Sequence, residues 1–176
     1  MPGFIDPHCH ILSYASSLIS ADCRFPHVKC IEDIKKVINE KSKSIVRGEW
    51  IRATGYDEFN LTEGKNPTRW DLDDAAPYHP VKLTHRSGHS CVLNSAALKL
   101  VGITKETDEL VKGFISRDVL SGEPDGLLID MGEYLRNRIP DWDIEYIIKA
   151  IRLASDAFLS YGVTSIGDAT HTNSVE

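Results

Sequence analysis

At 176 residues, 41% hydrophobic and 26% charged, the chain can bury a core of ordinary size, and one soluble domain is the starting expectation. A formal net charge of −6 excludes a dedicated nucleic-acid binder, since the basic cluster Lys35, Lys36, Lys41 and Lys43 is interrupted by Glu40 and reads as a solvated helix face. No leader-like start and no run of about 18 apolar residues is present, and the four cysteines (Cys9, Cys23, Cys30, Cys91) lack C-x-x-C or zinc-finger spacing, as reduced thiols of a cytoplasmic protein do.

In chain order, Pro2-Gly3 signals a turn, Phe4-Ile5 a short buried strand, and Asp6-Pro7 a stop to regular structure. His8 and His10 follow. In an extended segment, residues two apart leave the same face about 6.5–7 Å apart, so both imidazoles can turn toward one metal ion while Cys9 faces away. The alternative is a surface histidine pair at a strand end. Ser13 to Ser20 is serine-rich and of undecided form.

The spacing of Ile31, Ile34, Val37, Ile38 and Ile45 predicts a helix over 31–46, broken by Gly48. Trp50 to Tyr56 reads as a strand, 60–67 as a polar loop, and Thr68 to Asp71 as the start of a short helix that Pro77 stops. Next come a strand over 80–85, a turn at Ser87-Gly88-His89, and a helix from Ser95 to Val101 capped by Asn94 and ended by Gly102. Short strands are predicted at 113–116 and 126–130. The last helix carries Ile144, Ile147, Ile148, Ile151, Ala154 and Phe158 as a packed stripe, with Asp141 as its cap. Gly162 ends it, and Val163 to Asp168 reads as a buried parallel strand.

These residues carry a resemblance. The opening resembles the P-G-x-I-D-x-H-x-H strand of the amidohydrolase superfamily, through Pro2, Gly3, Ile5, Asp6, His8 and His10. Four later blocks resemble the branch called amidohydrolase family 3. They are Trp50 to Glu58, then Trp70 through Pro77 and Pro80-Val81 to Arg86–Leu98 with its G-H-x-x-x-x-N-S core, then Gly122 to Leu128, and Gly162 to Asp168 as G-V-T-S-x-x-D. The implied fold is α/β: part of a (β/α)₈ metal-dependent hydrolase barrel with a long α/β insertion. A closed barrel typically takes about 250 residues, so an incomplete one is expected here. The expected division is the first barrel strand at 1–12, an excursion subdomain at 13–140, and a helix–strand unit at 141–176.

The resemblance implies a divalent metal, zinc by preference, activating a water that attacks an amide-type carbonyl, with a carboxylate moving the proton to the leaving nitrogen. His8 and His10 are the expected ligands. Asp130 is a candidate third, with a helix-capping role before Met131 as the alternative. Asp168 is the candidate catalytic carboxylate. Arg86, His89, Asn94 and His171 are candidate substrate contacts, although a cap explains Asn94 equally well and a surface salt bridge explains Arg86. Ser87, Ser90 and Cys91 beside His85 and His89 are discounted as nucleophiles, because no G-x-S-x-G elbow accompanies them.

The implied substrate is a small amide-type molecule split at a non-peptide carbon–nitrogen bond. No nucleic acid or membrane partner is expected. Two imidazoles fall short of the three protein ligands usual for catalytic zinc, so this segment alone is expected to turn over little. The competing reading is a non-catalytic α/β module or truncated product, with self-association through exposed barrel edges.

Overall fold

The computed structural model describes residues 2–107 and 113–170. They fall into two compact units, Met1–Ile19 with Asp141–Glu176, and Ser20–Pro140. The architecture is mixed α/β.

The first unit begins with strand β1 (Phe4–Cys9) and helix α1 (Ile11–Ile19). Asp6-Pro7 does not end the strand as expected. The Asp6 carboxylate accepts the His8 N–H at 3.1 Å, a tight turn across Pro7, and the strand resumes after an irregularity between Asp6 and Cys9. The serine-rich stretch is helical. Ser16 and Ser17 return their hydroxyls to Leu12 O and Tyr14 O, so neither competes from outside the helix.

The second unit carries β2 (Ala21–Asp22), α2 (Ile31–Ser42), β3 (Ile51–Tyr56), α3 (Arg69–Ala75) and β4 (Val81–His85). It continues with β5 (Ser90–Leu93), α4 (Ser95–Val101), β6 (Phe114–Arg117), β7 (Pro124–Ile129) and α5 (Gly132–Arg136). One six-stranded sheet runs β2-β3-β4-β5-β7-β6, parallel through β4 and antiparallel beyond it. Helix α2 packs Ile31, Ile34 and Ile38 into a core with Ile51, Tyr56, Leu72 and Leu83. It stops at Ser42 rather than Val46, because Ser42 and Ser44 hydroxyls take Asn39 O and Lys41 O, the carbonyls that would carry it on. Ile45 still packs against the same core.

Thr68 and Asp71 close a capping box at α3, and Asn94 caps α4, which ends at left-handed Gly102 (φ 76°) as the spacing predicts. Strand β5 was hidden by its length. Four residues between a turn and a helix cap carry no period of their own, and pairing on both sides makes them a strand.

The chain returns to the first unit with α6 (Ile144–Ser160) and β8 (Val163–Asp168). The cap of α6 is Asp143, accepting the Glu145 N–H at 2.9 Å, and not Asp141. Its packed face is also narrower than the apolar stripe. Ala150 and Ala154 bury against Ala15, with Tyr14 and Phe158 rings 5.3 Å apart, while Ile144, Ile148 and Ile151 stay exposed. Small residues let α1 and α6 approach closely, which turns the isoleucines outward.

Strand β8 is parallel to β1, as expected, yet Thr164, Ser165 and Ile166 are exposed rather than buried, since β1 is its one partner strand among the described residues. The pair is held tight at Gly167, where a Cβ would lie 2.8 Å from Pro7 O.

Candidate functional site

In the first unit, His8 and His10 stand at the carboxyl end of β1, both exposed. Their ring centroids are 5.4 Å apart and the rings nearly perpendicular, at 89°. Two imidazoles bound tetrahedrally at zinc–nitrogen distances of about 2.0–2.1 Å would set centroids about 5 Å apart, so spacing and donor chemistry fit a divalent ion of that class.

The register of the strand pair builds a support behind His10. Ala169 N–H donates to Cys9 O at 2.8 Å, which sets Thr170 beside the next residue of β1. His10 Nδ1 then lies 3.1 Å from Thr170 Oγ1. Asp168 Oδ1 accepts both the Thr170 N–H (3.0 Å) and the Thr170 hydroxyl (2.6 Å), an Asx turn that locks the threonine. Asp168 therefore reaches His10 through Thr170. Cys9, between the histidines, is a poor nucleophile: partial burial and the carboxylates of Asp6 and Asp168 push its thiol above the ordinary value. His171 lies outside the described residues.

In the second unit, three of the candidates converge at one end of the sheet. Arg86 follows β4, and its largely exposed side chain forms an ion pair with Asp57, Nε to Oδ2 at 2.7 Å. His89 precedes β5, and its Nδ1 lies 3.0 Å from Asp130 Oδ1, while Asp130 N–H donates to His89 O at 2.8 Å. Asp130 holds a left-handed backbone (φ 54°), uncommon outside glycine, and leaves α5 without a side-chain cap. Its carboxylate orients His89 and does not cap the helix.

The local pattern gives no role to Asp57 and Glu58, and it marks His85 and Ser87 only as discounted nucleophile partners. His85 Nδ1 accepts the Ser87 N–H at 3.1 Å and meets the Ser87 hydroxyl at 2.8 Å. That leaves the ring proton on Nε2, 3.0 Å from Glu58 Oε2 and 3.8 Å from Asp57 Oδ1. The Nε2–Oε2 approach is off-line for a hydrogen bond, and neither buried atom has another hydrogen-bond partner. Asp57, Glu58 and His85 bring three ligand-type atoms within 4.8 Å of one another, a spacing a cation could share. Asp57, however, already accepts the Phe59 N–H on Oδ1 and the Asn60 amide on Oδ2, which also forms an ion pair with Arg86 Nε. Positive charge reaches this cluster through Arg86, and the His85 tautomer favours a hydrogen-donating Nε2 over a ligating one. The Tyr56 ring walls the cluster edge-on, 5.2 Å from His85, and burial followed by Glu58 pushes its phenol well up.

Asn94 stands apart, 1% exposed, within the fold. Its oxygen accepts the Val81 and Ala97 N–H groups and its amide donates to His79 O. These bonds make it a structural clasp between β4 and α4.

The profile of the amidohydrolase family matches residues 1–175. The chain belongs to the amidohydrolase family. The chain is 35% identical to the N-substituted formamide deformylase of Arthrobacter pascens over 179 aligned residues, covering 98% of the chain and 32% of that enzyme. It is 31% identical to LONG AFTER FAR-RED 3 of Arabidopsis thaliana, over 96% of the chain and 28% of that protein. The chain thus spans about a third of the curated relatives it matches. Its fold resembles that of a metal-dependent hydrolase from Pyrococcus furiosus, with a TM-score of 0.62 and 26% identity over 94% of the chain and 31% of the hydrolase. No helix among the described residues is long and apolar enough to cross a membrane.

Proposed function

We propose that this amidohydrolase chain supplies the first two ligands of a metal centre that hydrolyses a non-peptide carbon–nitrogen bond in a small amide-type molecule. The observation that carries the reading is the His8–His10 pair, presented at the carboxyl end of a parallel strand pair with ring spacing suited to one ion. A divalent ion there, zinc by its preference for imidazole nitrogen, supplies a Lewis acid and an acidified water. The substrate class is drawn from the relative named as an N-substituted formamide deformylase.

The chain's own residues do the rest. Asp6 turns His8 outward through its N–H, and Thr170 holds the His10 ring. Within the second unit taken by itself, Arg86 and His89 are proposed as groups able to contact a small polar molecule, the first through an exposed guanidinium paired with Asp57 and the second through a ring steadied by Asp130. Asp130 serves His89 in this reading rather than the metal. Four free cysteines suit a reducing compartment, the cytoplasm. Exposed Ile144, Ile148 and Ile151 support self-association of the isolated chain.

Metal titration joined to a turnover assay tests this. The purified chain should bind about one equivalent of zinc, lost in His8→Ala/His10→Ala, because two imidazoles anchor the ion. Formate release from an N-substituted formamide should stay near the rate with free zinc, because two protein ligands anchor an ion but fall short of the three usual at a catalytic zinc. Absence of zinc binding would leave the non-catalytic module as the reading. Fast, chelator-sensitive turnover would show the two-ligand account to be wrong.

A further inference from the structure

We infer that Asp168 and Thr170 act as positioning residues for His10, fixing its imidazole in the Nδ1–H tautomer so that Nε2 is the nitrogen left to bind a metal. The inference deepens the proposed metal centre and rests on it only for the affinity readout. It moves Asp168 from the catalytic carboxylate expected of the sequence to a role exerted through Thr170.

The argument is a count of protons along three atoms. Thr170 Oγ1 lies 2.6 Å from Asp168 Oδ1, a short, charge-assisted contact. A carboxylate can only accept, so the single hydroxyl proton of Thr170 must lie in that contact; without it two oxygens would face each other at repulsive range. The Thr170 N–H, at 3.0 Å from the same Oδ1, keeps the carboxylate in place. Thr170 Oγ1 then has only lone pairs to offer His10 Nδ1, 3.1 Å away. The imidazole must therefore donate from Nδ1. In neutral histidine this leaves the lone pair on Nε2.

The backbone sets the arrangement before any side chain is chosen. Ala169 N–H on Cys9 O locks the register of the two strand ends, so the residue after Cys9 meets the residue after Ala169. The Asx turn of Asp168 then aims the threonine hydroxyl inward. A carboxylate acting through a hydroxyl on the far nitrogen of a ligating histidine is the support that orients metal-bound imidazoles, and its loss typically costs about 10–100-fold in affinity.

The test measures the tautomer in the metal-free chain and Co²⁺ affinity separately. Long-range ¹H–¹⁵N correlation spectra report which ring nitrogen of His10 is protonated. Wild type should show Nδ1–H. Thr170→Val, which keeps shape and loses the acceptor, should shift His10 toward the Nε2–H form and weaken Co²⁺ binding about 10-fold or more. Thr170→Ser should restore both. Exchange of the Ala169 amide checks that the strand pair survives in each variant. If Thr170→Val keeps the wild-type tautomer, the inference is overturned, even where affinity falls, since the threonine would then be merely structural. Should no variant or wild type bind Co²⁺, the metal reading fails while the tautomer spectra still decide the Thr170 claim.

Discussion

Replacing Gly167 by alanine should loosen the histidine-bearing strand while leaving the larger unit intact. A Cβ at this position would stand 2.8 Å from Pro7 O and 3.2 Å from Pro7 C, and backbone atoms cannot swing aside as a flexible side chain would. The strain falls in the register between Asp6↔Ile166 and Cys9↔Asp168, the stretch that carries His8. Overpacking of this kind costs about 1–3 kcal/mol, which at 25 °C corresponds to about a 5- to 150-fold rise in local opening. Hydrogen exchange followed by mass spectrometry should show that rise for peptides covering 4–9 and 163–168. Peptides from the second unit, such as 81–93, should keep wild-type protection. Unchanged exchange in the first strand would refute the claim that backbone contact at Gly167 sets the register of the site.

Asn94→Ala should remove a helix cap and strand two buried backbone partners. The expected loss is about 3 kcal/mol, or about 6–12 °C in melting temperature, with a smaller loss for Asn94→Asp. A shift within error would contradict the structural role given to it. Thr68→Ala should cost about 1 kcal/mol by opening the capping box of α3, measured by urea denaturation. Alkaline pH should destabilise the chain through Cys23, whose thiol burial pushes from an ordinary 9.0 up to about 12. The native thiol stays protonated while the unfolded one ionises, so its contribution is intact below pH 9 and falls by about 1.4 kcal/mol per pH unit between about 9 and 12. Cys23→Ala should flatten that limb of the stability curve, and an unaltered slope would remove Cys23 as its source.

The readable features in the sequence were local ones. Thr68 with Asp71, Asn94 with Gly102, and the glycine-bounded strand 51–56 each announce themselves within a few residues, and each stands where the pattern places it. What escaped depends on contacts distant in the chain. β5 exists because β4 and β7 flank it, and α1 is a helix whose stability comes from Ala150 and Ala154, some 130 residues later. The α6 stripe misled because isoleucines mark an apolar face, whereas close helix packing selects alanines.

The sites divide in the same manner. His8 and His10 are legible from a spacing of two, but Thr170 gains meaning only from the β1–β8 register. The D-x-T pattern at Asp168 was the available signal, an Asx turn in prospect. At the sheet end, Arg86, His89 and Asp130 each carry only a local signal of their own. That Asp57, Glu58, His85 and Ser87 join Arg86 follows from parallel pairing of β3 with β4, which no spacing along the chain reveals.

The most direct test of the metal centre is X-ray absorption at the zinc edge of the zinc-loaded chain. Outer-shell scattering from about two imidazole rings is predicted, and it should vanish in His8→Ala/His10→Ala. A shell of oxygen alone, or an imidazole signal unchanged in the double variant, would contradict the account.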